Sequence, residues 1–74
     1  MLVNKALALM LDAQGVKQSD VARSIGKSPQ FVNDSIRREN MRVSTAASIA
    51  QAAGCEIVIR KAGERDGIII TAED

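Results

Sequence analysis

The side chains best equipped to recognise another molecule lie close together, between Gln18 and Arg37. Gln30, Asn33, Asp34 and Arg37 follow one another at i, i+3, i+4 and i+7, a spacing that lines one face of a helix. Glutamine and asparagine amides each donate and accept hydrogen bonds, so this face suits reading a polar surface rather than breaking a bond. The chain has no histidine and one cysteine, Cys55. That removes the usual zinc sets, acid–base pairs and nucleophile–base pairs, and leaves no internal disulfide. Without a nearby histidine, Cys55 reads as a small apolar residue behind a helix end. No enzyme, metal or cofactor is expected.

A recognition face needs a helix with a defined start and a partner to lean on. Ser28-Pro29 supplies the start: the serine hydroxyl can accept from a free backbone N–H, and proline fixes φ at a position that needs no donor. The helix is expected over about 29–38, turned inward through Val32, Ile36 and part of Phe31. Before it, Val21, Ala22 and Ile25 share one face of a helix that starts at 17 or 18 and ends at 25. Lys17 is a poor cap for that start. Gly26 provides the tight turn between the two.

The rest of the chain frames this pair. Val3, Leu7, Met10 and Leu11 recur at helical spacing over about 3–14, with Gly15 ending the helix and Val16 folding back onto it. Glu39-Asn40-Met41-Arg42 is a polar link. A fourth helix is expected over about 43–53, its inner face Val43, Ala46 or Ala47, Ile49, Ala50 and Ala53, ending at Gly54. The period then becomes extended: Glu56 to Lys61 and Gly67 to Thr71 are rich in β-branched residues, and the polar link Ala62 to Asp66 is short enough for a hairpin. Gly63 and Gly67 read as turn residues. A lone hairpin is marginal in water, so its isoleucines need the helices or a second subunit to cover them. The acidic end, Thr71 to Asp74, is expected to fray. The chain thus reads as mainly α, a four-helix unit over 1–54 followed by a C-terminal β-hairpin over 55–74.

Size and charge set the remaining bounds. With 74 residues, 46% of them apolar but only one aromatic, a single domain with a thin, alanine-rich core is expected. The apolar N-terminal run contains Lys5, is closed by Asp12 and has no basic segment before it, unlike a signal peptide. No run approaches the roughly 20 apolar residues of a membrane span, so a soluble protein is expected, and the single cysteine fits a reducing cytoplasm. Net charge is only +1, but it is unevenly spread. Residues 17–42 hold six cations (Lys17, Arg23, Lys27, Arg37, Arg38, Arg42) against Asp20, Asp34 and Glu39, a surplus of +3, whereas residues 43–74 carry −2. Positive charge therefore surrounds the central helix pair.

Gln18, Ala22 four residues on, Gly26, Ser28, and Val32 six after the glycine form a pattern. With Ile49-Ala50-Gln51-Ala52-Ala53-Gly54, it resembles the lambda-repressor and Cro-like helix-turn-helix family of bacterial and phage transcription regulators, over about residues 3–54. Each position has a physical reason. Ala22 lets the helices cross closely, Gly26 permits a left-handed turn, and Ile25 and Val32 fix the angle between the helices. Lys17, Lys27 and Ser35 depart from the pattern. The family often has a capping threonine at the first, and usually has an aliphatic residue at the second and a larger apolar one at the third; Ile36 is placed to take over from Ser35.

The resemblance implies that the helix after the turn enters the DNA major groove with its N-terminal residues at the base edges. Ser28, Pro29, Gln30, Asn33 and Asp34 are then the base-facing positions, with Gln30 and Asn33 suited to adenine. Asp34 either accepts from cytosine or repels phosphate. Pro29 can touch a thymine methyl or simply start the helix. Gln18, Lys27, Arg37, Arg38, Asn40 and Arg42 fall where the family grips the sugar–phosphate backbone. Gln18 can cap its helix as well, and the arginines can equally be a solvated face. A homodimer on palindromic double-stranded DNA is expected, held through Ile57, Ile59, Ile68 and Ile70 of the hairpin. The alternative is an antitoxin- or antirepressor-type module whose hairpin engages a different protein.

Overall fold

The computed structural model describes residues 1–73 and comprises four helices and a hairpin. They are α1 (Val3–Gln14), α2 (Gln18–Ile25), α3 (Pro29–Arg37), α4 (Val43–Ala52), β1 (Ile57–Arg60) and β2 (Gly67–Ile70). The ends of the elements follow from local chemistry. Ser28 Oγ accepts from the Phe31 N–H at 3.1 Å and Pro29 opens α3, satisfying one of the helix's free donors. At Gly26 the backbone takes φ 71, and the Lys27 N–H returns to the Ala22 carbonyl at 2.8 Å, a closure that needs a left-handed residue. α1 and α4 end in the same way, with Val16 donating to the Leu11 carbonyl at 2.9 Å and Cys55 to the Ala50 carbonyl at 2.8 Å.

The four helices meet in one apolar core. Leu7 and Leu11 come from α1, Val21 and Ala22 from α2, Val32 and Ile36 from α3, and Ala46, Ile49 and Ala50 from α4. Ala22, Ala46 and Ala47 are fully buried; their small side chains let the helix backbones approach, the form a core takes with almost no aromatic volume. Both Ala46 and Ala47 therefore lie inside. α1 also locks the end of α3: the buried Asn4 Nδ2 donates to the Ile36 carbonyl at 2.9 Å, filling one of the acceptors a helix end leaves open.

Several residues stand elsewhere than their spacing suggests. Val43 is 60% exposed, because it sits in the first turn of α4, past the edge of the packed body. Met10 lies at the margin of the α1 stripe and is 42% exposed. Met41, in the polar link, is instead buried against the core. α3 stops at Arg37 because Arg38 is already extended, at φ −90 and ψ 127. α4 ends at Ala52, and each strand is four residues long, shorter than the apolar runs that contain them.

β1 and β2 are antiparallel, with Ile57 opposite Ile70, Val58 opposite Ile69, Ile59 opposite Ile68 and Arg60 opposite Gly67. Gly67 is more than a turn residue. A Cβ there would come within 2.6 Å of the Ile59 carbonyl and of Val58 Cγ1, so only glycine lets the strands approach this closely. Ile57 packs partly against the helical core, while Ile59 and Ile68, further along the same face, are 63% and 72% exposed. Val58 and Ile69, on the opposite face, are exposed too. The hairpin is thus rooted on its own helices but not covered by them. Beyond it, Thr71 Oγ1 donates to the Glu73 carbonyl at 2.7 Å; of the end expected to fray, Asp74 lies outside the described residues. No helix among the described residues is long and apolar enough to cross a membrane.

Candidate nucleic-acid interface

α3 presents its polar residues outward because Val32 and Ile36, four apart, are both buried and fix the rotation of the helix. Ser28, Pro29, Gln30, Asn33 and Asp34 are all exposed. Ser35 does not compete with Ile36 for the inner position: its hydroxyl donates back to the Phe31 carbonyl at 2.8 Å within α3. The Asn4 contact to the Ile36 carbonyl holds the same rotation from the far side.

Two of the polar residues are joined across the turn. Asn33 Nδ2 donates to Gln18 Oε1 at 3.2 Å, linking the exposed face of α3 to the first residue of α2. Gln18 is half-buried, so it restrains Asn33 and leaves its own amide N–H₂ at the α2 N-terminus, where free backbone donors favour an anion. Asn33 keeps its carbonyl oxygen and a second amide hydrogen for an outside partner. Ser28 Oγ serves the cap. The cap uses one lone pair, so the hydroxyl hydrogen and the second lone pair stay open to an outside partner.

The cations surround this face. Arg23 pairs with Asp20 at 3.5 Å, whereas Lys17, Lys27, Arg37, Arg38 and Arg42 have no carboxylate within 4.0 Å among the described residues. Lys27 Nζ lies 5.4 Å above the centre of the Phe31 ring, a cation–π contact that places its charge beside the start of α3. It also accounts for the half-outward Phe31. Past the other end of α3, Arg38, Asn40 and Arg42 border a groove of about 490 Å³ with Phe31, Ser35 and Thr45. Arg37 is exposed at the last residue of α3.

Spacing alone does not show the Gln18–Asn33 bond, since the two are fifteen residues apart. Nor does it mark Asn4, although Asn4, Leu7 and Leu11 share a helical stripe, and a polar residue on an apolar stripe is the signal that could have found it. Nor does spacing place Thr45 on the border of that groove, where it stands with Met41 of the link. Comparison with protein-family models, with curated proteins and with solved structures finds no match.

Proposed function

We propose that this protein is a sequence-specific DNA-binding transcription regulator of the lambda-repressor and Cro-like helix-turn-helix type. It places α3 in the major groove and acts as a homodimer on a palindromic operator. The observation that carries the reading is an exposed amide-bearing helix face, locked in rotation, amid cations that have no carboxylate partner among the described residues. Turning such cations toward phosphate breaks no ion pair among the described residues.

The division of labour follows from the chemistry of each group. Gln30 and Asn33 donate to and accept from an adenine edge, each such pair adding about 1–3 kcal/mol of discrimination. Asp34 accepts from the cytosine amino group. The Gln18 amide and the first N–H groups of α2 hold one phosphate, and Lys27, Arg37, Arg38, Asn40 and Arg42 hold its neighbours; these contacts position the helix without reading sequence. Two copies bind half-sites about one helical turn apart.

Fluorescence anisotropy against an enriched duplex and a scrambled one tests this directly. Gln30→Ala and Asn33→Ala should reduce the preference between the two duplexes, while Arg38→Ala should weaken both alike. Equal losses on both duplexes for all three variants would overturn the assignment. The exposed aliphatic hairpin also favours a second reading, an antitoxin- or antirepressor-type module binding a different protein. A chain that shows no affinity for any duplex at low salt would select it.

A further inference from the structure

A two-stranded hairpin leaves one edge of each strand with unpaired backbone groups, and proteins usually protect such edges with lysine, proline or a bulge. β1 has no lysine, proline or bulge within Ile57–Arg60; it is short and carries one charge, Arg60, with Lys61 just beyond it. Its sequence in context, Glu56-Ile57-Val58-Ile59-Arg60, is balanced about Val58, with isoleucines one residue away on each side and opposite charges two residues away. Glu56 and Arg60 are exposed, and neither has an ion partner within 4.0 Å among the described residues.

We infer that β1 is a self-complementary edge strand that pairs antiparallel with β1 of a second copy, Val58 against Val58, to form a four-stranded sheet. This rests on the homodimer reading above and names the surface and register it uses. A twofold interface must match itself, residue i meeting j wherever j meets i. About Val58, Ile57 meets Ile59 and Glu56 meets Arg60, each twice. Shifting the register by one residue between the strands turns the partner's isoleucine face to the other side of the sheet. Shifting it by two in either direction sets Glu56 or Arg60 against Val58. Only the Val58-centred register keeps both isoleucine faces together and matches the charges.

The helices fit the same register. Ile57 borders an apolar groove of about 240 Å³ with Val3, Met10 and Cys55, and is half covered by its own core. Pairing sets Ile59 of each copy beside the Ile57 of the other, at the mouth of that groove. This accounts for an inner Ile57 and a 63% exposed Ile59 on one face of one strand. β2, Gly67-Ile68-Ile69-Ile70, has no charge to fix a register.

The test is sedimentation equilibrium at low salt on the full chain and on Glu56→Arg and Arg60→Glu, with folding of each followed by circular dichroism. Each variant alone faces like charges at two positions and should dimerise about tenfold more weakly. Mixed in equal amounts, the two variants restore both ion pairs, and the mixture should associate as tightly as the unaltered chain. Variants that dimerise unchanged, or a mixture no tighter than its components, would overturn the register while leaving the homodimer standing. An unaltered chain that stays monomeric at the highest concentration would overturn both.

Discussion

At the scale of single residues, the account turns on groups that hold others in place. Gln18 restrains Asn33, so Gln18→Ala should cost both a phosphate contact and part of the adenine preference, a mixed loss that Arg38→Ala should not show. Selection profiles of the two variants on the same duplex library would separate them. Asn4 is the counterpart in the core. Its amide satisfies the Ile36 carbonyl while its own Oδ1 has no partner among the described residues. Asn4→Ala leaves that carbonyl buried and open, and should cost about 1–3 kcal/mol of stability, lowering Tm in a calorimetric scan by several degrees. An unchanged Tm would mean that the contact does not hold α3. The polar face of α3 was legible from spacing because its period is local. The Gln18 bond and the Asn4 contact were not, since each joins side chains that only the fold brings together.

At the scale of elements, each boundary tied to a local cap was legible in the sequence. Ser28-Pro29 sets the start of α3, and Gly15, Gly26 and Gly54 set helix ends, because capping depends on neighbours a few residues away. Placement of residues beyond the regular stripes was not legible. Val43 has an inward spacing but no neighbour to cover it, and Met41 is drawn into the core from a polar link. Gly26 gives the sharpest test of the turn. Gly26→Ala meets no atom within 4 Å, yet it must keep φ at 71, so its cost of about 1–2 kcal/mol is purely conformational. Urea unfolding should show that loss, and the angle between α2 and α3 should survive it. Gly67→Ala fails for a different reason, because its Cβ meets the β1 backbone at 2.6 Å. It should disrupt the hairpin, and with it association, while helical circular dichroism remains.

At the scale of the whole molecule, charge and symmetry act together. A chain of net charge +1 has little general attraction for DNA, so the proposed function requires affinity to come from the local surplus over residues 17–42 and from doubling it in the proposed dimer. If each subunit neutralises about five phosphates, the logarithm of the binding constant should fall with that of salt at a slope of about −4 to −5 per subunit. A flat response would assign the arginines to a solvated surface. In the proposed dimer the hairpins would also set the operator, since they would fix how far apart the two α3 helices stand. The most direct test is selection of bound duplexes from a random pool at two salt concentrations. The account predicts an enriched palindrome with half-sites about one helical turn apart, its enrichment lost in the Gln30→Ala, Asn33→Ala double variant. A pool that remains random at low salt, with the protein folded and dimeric, would contradict it.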